Sequence, residues 1–294
     1  MNNYVISAFK HSTTLIKGIQ DSRLNPNLEQ MIVGGSGAPS PSLVGVSQIR
    51  PELAIVTTEI KNALANCGGI TGAALSSDVF YFQKLLEGGL RAGTLAHIKV
   101  TAATGMIIPV SINAVQGQPA TLNYLVVMTS ADGSASPIAI LGSQSLETGQ
   151  DVTDEVYTMG PIEINGTALE GITSWTLNFG NVPWVNIADG HVYPTEVGIR
   201  GQGPTIIARS RDVEAFQTWD IAGLAQNDTD STIILHDQLA GGVRGSSPIT
   251  FSVDAGMAHF QDLGAAHPNT IEGGVLITPV NDGTNDILAV TGLT

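Results

Sequence analysis

The residues that carry reactive chemistry in this sequence are few and scattered. Asp189-Gly190-His191, with Glu196 close behind, sets carboxylates beside an imidazole, the groups that shuttle protons or hold a metal ion. The segment precedes Pro194 in a turn, where Asp and His are ordinary surface residues, and it reads as such. His236-Asp237, and His259 with Asp262, are similar pairs without a third ligand at a metal-binding spacing. Cys67 is the sole cysteine, which excludes an intrachain disulfide, and with no base beside it in sequence it reads as a small buried residue. Trp175, Trp184 and Trp219 have the chemistry of a sugar-stacking platform but read as core or interface packing. Gly201-Gln202-Gly203 is a fragment of a dinucleotide-binding pattern, yet Pro204 and a strand follow where a helix N-terminus is needed. No Gly-x-Ser-x-Gly elbow, Walker sequence or His-Glu-x-x-His occurs. No catalytic, cofactor-binding or metal-ligating residue is therefore assigned, and the expectation is a protein that is not an enzyme and needs no cofactor.

Composition narrows the classes further. The 294 residues suffice for roughly two domains at about 150 residues each. Lys and Arg number 12 against 26 Asp and Glu, a formal charge of -14. A basic DNA-binding surface or a polybasic membrane anchor is excluded on that balance, because both depend on cationic side chains. No apolar run approaches the ~20 residues of a spanning helix. The amino-terminal residues lack a basic segment followed by an apolar one, so the expectation is a chain made and folded in a reducing cytoplasm.

The elements that would position any site are strands. Runs such as 53–56, 123–128, 206–208 and 274–277 are rich in β-branched residues and bounded by Gly, Pro, Asn or Asp. Asn165-Gly166 between Ile162-Glu163-Ile164 and Thr167-Ala168-Leu169 has the dipeptide of a two-residue type I′ hairpin, and Asp132-Gly133, Asp189-Gly190 and Asp282-Gly283 read as further reversals. Residues 58–66 place Ile60, Ala63 and Leu64 on one helical stripe ahead of Gly68-Gly69, and residues 212–219 form a weaker second helix candidate.

These landmarks recur. Pro41 to Gly45 aligns with Pro194 to Gly198, Pro51 to Val56 with Pro204 to Arg209, Ile98 to Met106 with Ile249 to Met257, and Asp132-Gly133 with Asp282-Gly283. The order is conserved within the chain and the spacing drifts by only a few residues, which points to internal duplication. The expected fold is all-β: two tandem related β-sandwich or barrel domains, 1–133 and 134–294, each with one flanking α-helix. Gly34 to Ser42 and Gly198 to Gly203 are read as equivalent flexible loops, making Gly35, Ser36, Gly37, Gly201 and Gly203 candidates for contact with a neighbouring subunit.

Between Lys99 and Arg200 there is no Lys or Arg, while acids continue, among them Asp151, Asp154, Glu155 and Glu163. Such a stretch suits either a solvated acidic surface or a lining that repels a polyanion. The early hairpin, the Gly34-to-Pro41 loop, the Pro51-to-Thr57 strand entering the Thr58-to-Asn66 helix, and the antiparallel strands that follow resemble bacteriophage major tail tube proteins. Residues 162–167, 172–180 and the 249–278 hairpin are similar to the same pattern. The resemblance covers nearly the whole chain through element order. It implies a structural virion protein whose rings stack into the hollow tail tube for DNA ejection. It also implies a homotrimer of duplicated chains imitating six-fold symmetry, as in long non-contractile tails, with other phage tail proteins as partners. The location implied is the virion tail after assembly in the host cytoplasm, with Asp151, Asp154, Glu155 and Glu163 as candidate lumen-facing acids. The alternatives are a capsid decoration or other virion surface protein and a carbohydrate-binding or hydrolytic β-sandwich.

Overall fold

The computed structural model describes residues 3–37, 40–150, 153, 155–212, 225–228, 230–239, 242–264, 271–284 and 286–293. Its elements run β1 (Asn3–His11), β2 (Thr14–Ile16), β3 (Ile19–Asn25), β4 (Leu28–Gly34), β5 (Pro41–Ile49), β6 (Glu52–Thr57), α1 (Ile60–Asn66), β7 (Ala73–Ala74), β8 (Asp78–Leu85), β9 (His97–Ala102), β10 (Thr104–Val115), β11 (Thr121–Thr129) and β12 (Ile138–Gln144). They continue with β13 (Tyr157–Ile164), β14 (Thr167–Leu169), β15 (Ile172–Asn178), β16 (Asn181–Asn186), β17 (Glu196–Gln202), β18 (Thr205–Ser210), β19 (Ala225–Asp228), β20 (Ser231–Asp237), β21 (Ile249–Val253), β22 (Gly256–Gly264), β23 (Glu272–Pro279) and β24 (Ala289–Thr291). The fold is all-β, as the turn-rich sequence suggests.

Three large sheets and two hairpins account for these strands. The five-stranded sheets have the orders β12-β9-β8-β1-β2 and β14-β13-β20-β21-β24, and a ten-stranded sheet runs β19-β22-β23-β18-β15-β10-β11-β6-β3 with β7 beside β10. Reversed, the second five-stranded order corresponds to the first strand for strand. The ten-stranded sheet likewise consists of two runs of the same order, β7-β10-β11-β6-β3 and β19-β22-β23-β18-β15.

Registers agree as well as orders. Ile19 pairs with Thr57 and Ile172 with Ser210, so both partners lie 153 positions apart (19 and 172, 57 and 210), and the same bulge follows each pair. In the hairpins β4-β5 and β16-β17, Met31 opposes Gly45 as Trp184 opposes Gly198. In β10 the register slips between Pro109 and Ser111, and in β22 between Phe260 and Asp262. A proline has no N–H for the ladder, and a bulge is where a strand tolerates one.

Period-2 burial explains why the sheets stack. In β18 the residues Ile206, Ala208 and Ser210 are buried while their neighbours are not, and in β21 Ile249, Phe251 and Val253 alternate in the same way. The inner faces of all three sheets meet in one connected core that includes Tyr124, Tyr157, Trp175 and Phe251. Asn165 and Gly166 have φ of 51° and 70°, the left-handed pair that a type I′ turn requires, and the strands they join are β13 and β14.

Helix α1 buries Ile60, Ala63 and Leu64, the stripe read from sequence. The second helix candidate, 212–219, lies outside the described residues beyond Asp212. The first five-stranded sheet takes in residues past 133: β12 pairs β9, Glu147 accepts from Lys10 Nζ (3.0 Å) and Tyr81 Oη (2.8 Å), and Ser7 Oγ donates to Gln150 (2.8 Å).

Candidate functional site

The ten-stranded sheet contains a seam where its two runs meet. Ser111, Ile112, Asn113, Ala114 and Val115 of β10 pair with Asn178, Leu177, Thr176, Trp175 and Ser174 of β15. Strand β15 corresponds to β3, and β10 to β22, so the join is head to tail. Consequently the sheet ends on the same two kinds of edge. At one end β3 is paired with β6 alone, and at the other β19 covers β22 from Gly256 to His259, with no strand beyond His259 on that side among the described residues. Leu263 on this margin is 57% exposed. Unpaired N–H and C=O groups along such edges are templates for another strand.

On the face of this sheet turned away from the core, polar side chains cluster around the seam, among apolar ones such as Leu125, Ile207 and Leu276. Asn123 Nδ2 donates to Ser111 Oγ at 2.8 Å, Thr176 Oγ1 donates to Asn113 Oδ1 at 2.9 Å, and Asn178 Nδ2 reaches Thr205 Oγ1 at 3.4 Å. Charge enters mainly as opposed pairs: Arg209 bonds both carboxylate oxygens of Asp262 at 3.2 and 3.0 Å, and Arg211 Nε meets Glu272 at 3.3 Å.

Of the acids proposed from sequence, two fall among the described residues, and neither is on this sheet. Glu163 is on β13 of a five-stranded sheet, paired with Ala168 and Thr232. Glu155 is half-buried beside α1, where its Oε1 accepts the Asn62 N–H at 2.9 Å, and burial pushes its carboxyl up to about 7, with Glu59 adding to the effect. Glu155 thus caps a helix that is distant in sequence, since Glu59 makes no side-chain cap bond. Asp151 and Asp154 lie outside the described residues.

The glycine segments are not equivalent to each other. Gly35, Ser36 and Gly37 follow β4 at the turn of the first hairpin, whereas Gly201 is within β17 opposite Val182 and Gly203 lies at that hairpin's base, close against Gly180. By register, the counterpart of the first tip is the 187–195 loop.

That loop is anchored. Val192 and Tyr193 both donate backbone N–H to Gly133 O at 3.0 Å, the Ser130 N–H donates to Pro194 O at 2.7 Å, and the Ile49 N–H donates to Val192 O at 2.8 Å. At the base, Asn181 Nδ2 donates to Ile70 O (2.8 Å) and Pro109 O (2.9 Å). The β4-β5 hairpin differs sharply: Met31, Ile32, Val33, Leu43, Val44 and Val46 are all exposed, Ile32 by 59% and Val44 by 60%. Exposure of consecutive residues means that both faces of this ribbon meet solvent.

The residues with reactive chemistry are dispersed. His191 sits against the 133 turn with Nδ1 buried and, among the described residues, without a hydrogen-bond partner, and Glu196 accepts from Asn186 at 3.3 Å. Cys67 is fully buried, which pushes its thiol up to about 12, with Asp78 adding to the rise. Trp175 is buried in the core and Trp184 lies over Gly198, while Trp219 lies outside the described residues. Among the described residues no three His, Cys, Asp or Glu side chains converge as a metal site. Sequence reasoning missed the buried His11 Nδ1 to Asp78 Oδ2 contact of 2.8 Å, because its partners are far apart in the chain. No helix among the described residues is long and apolar enough to cross a membrane. No protein-family model matches the chain, and a search of curated proteins returns no match.

Proposed function

We propose that this chain is a structural subunit that joins edge to edge into rings, and that the rings stack into a hollow tube of the phage-tail type through which DNA passes. The observation that carries this reading is the β10-β15 seam. Among the described residues, a head-to-tail joint between two corresponding halves leaves β3, and β22 beyond His259, as the same complementary pair of edges. A heterologous joint of this kind generates closed rings when the rotation per step divides the circle. Applied between chains, the internal register sets Asn25 against Asp262 and Leu24 against Leu263.

Each chain contributes two corresponding modules, so three chains complete a pseudo-six-fold ring. Closing the ten-stranded sheets edge to edge makes a barrel, which removes the exposed edges. In this reading the Asn-, Ser- and Thr-bearing stretch around the seam, opposite the core, is the wall of the bore. With cations few and opposed by carboxylates, that wall offers a polyanion little to hold it. The role is mechanical and electrostatic, without a catalytic centre, and it belongs in a virion tail beside other tail proteins.

Electron microscopy of the purified chain tests this directly. Hollow tubes or stacked rings with an axial bore are expected. Discrete trimers that bind only capsids would assign the chain to shell decoration, and a monomer at every concentration overturns the reading.

A further inference from the structure

The two hairpins have corresponding registers but different surroundings. The β16-β17 hairpin is seated within the chain: its tip loop bonds the 130–133 turn and its base bonds β10 and the loop after α1. The β4-β5 hairpin has an apolar surface on both faces and, among the described residues, no such seat. The chain also contains the counterpart of the seat. Asp282-Gly283 forms a turn like Asp132-Gly133, with φ of 80° at Gly283 and 71° at Gly133. A Cβ on Gly133 would strike the His191 ring, whereas around the Cβ direction of Gly283 there is nothing within 4 Å among the described residues. Exposed Met257 and Val280 lie on the strand and loop that flank this turn.

One molecule therefore carries an unseated hairpin and an unfilled seat, and the seated pair specifies how they fit. We propose that the β4-β5 hairpin docks on the 281–283 turn and the adjoining β22-β23 margin of a second copy of this chain, clamping the edge joint from outside the barrel. The inference rests on the tube reading only for the identity of the β3-β22 joint. In the docked state the Ser40 N–H takes the place of the Tyr193 N–H and donates to Gly283 O of the partner subunit. The occupant is a second copy because the internal hairpin already fills the matching seat with corresponding backbone groups. Substituting Leu28 for the polar anchor Asn181, and Ile32 and Val44 for Val185 and Val197, makes the external joint the more apolar of the two.

Cross-linking tests the contact in the full chain. The doubly substituted protein Ser40→Cys/Thr284→Cys, assembled and then treated with a short bismaleimide, should give covalent species ending at a closed set of chains on a denaturing gel. Cys67, being buried, is silent to the reagent. Cross-linking by Ser40→Cys alone, which brings identical hairpins together, overturns the proposal, as does a purely single-chain product from assembled material. Ile32→Asp and Val44→Asp, with unchanged melting of the monomer, should each raise the concentration needed for assembly at least tenfold, and assembly at the wild-type concentration by both counts against the clamp. Tubes without the 40–284 cross-link sink the hairpin proposal and leave the tube standing. Cross-linked closed sets without a bore sink the tube and leave the hairpin contact.

Discussion

The imidazole of His191 stands over Gly133: a Cβ added to Gly133 would meet His191 Nδ1 at 2.1 Å. The glycine is needed twice, once for its positive φ of 71° and once for this approach. Gly133→Ala should destabilise the monomer by about 2 kcal/mol, combining backbone strain with displacement of the 187–195 loop. Gly283→Ala meets no neighbour among the described residues and should cost only about 1 kcal/mol. Urea titration of both variants checks the ordering, and equal losses would contradict it.

A charge on the free margin separates folding from association. Leu263→Lys substitutes an exposed edge residue, so monomer stability should change by no more than about 0.5 kcal/mol. Tube formation should be lost, because edge lysines block strand pairing. Sedimentation and thermal melting of the same preparation read the two effects.

Glu155 predicts a pH dependence of stability. Its folded carboxyl titrates near 7, against 4.5 for an ordinary glutamate, chiefly because it is half-buried. Between those values the folded state binds more protons than the unfolded state, so this residue makes stability fall as pH rises through the window. Glu155→Gln should flatten that decline, gaining on the order of 1 to 2 kcal/mol relative to the parent at pH 8 compared with pH 5. Melting curves at the two pH values decide the matter, and a parallel pair of profiles would refute the assignment.

Cations on the polar stretch around the seam should make the bore adhesive. Asn113→Lys with Asn123→Lys should leave tubes intact but retain duplex DNA at low salt, with release on raising the salt concentration. DNA passage through tubes of the parent and the variant measures it. Indifference to the substitutions would argue against this face being the wall.

Local features of the fold were legible from sequence because their determinants are local. The Asn165-Gly166 turn and the Ile60-Ala63-Leu64 stripe need only neighbouring residues to be interpreted. The site was less legible. A run of acids fixes the sign of charge but not the sheet on which a strand sits, and Glu163 stands on β13 of a five-stranded sheet. From sequence, 34–42 and 198–203 read as equivalent loops of the two repeats, whereas the hairpin register places 187–195 opposite the first tip. The β10-β15 seam has no sequence signature, since strand periodicity records which face is buried and says nothing about which edge is met.

Because the β10-β15 joint lies within one polypeptide, it forms during folding and dilution cannot open it. Alternate joints in any closed assembly built on this edge pair would therefore differ in kind. One is permanent and independent of concentration. The next is made by collision, and it alone is available for a cell to time, for a partner to seed, or for a single surface substitution to undo.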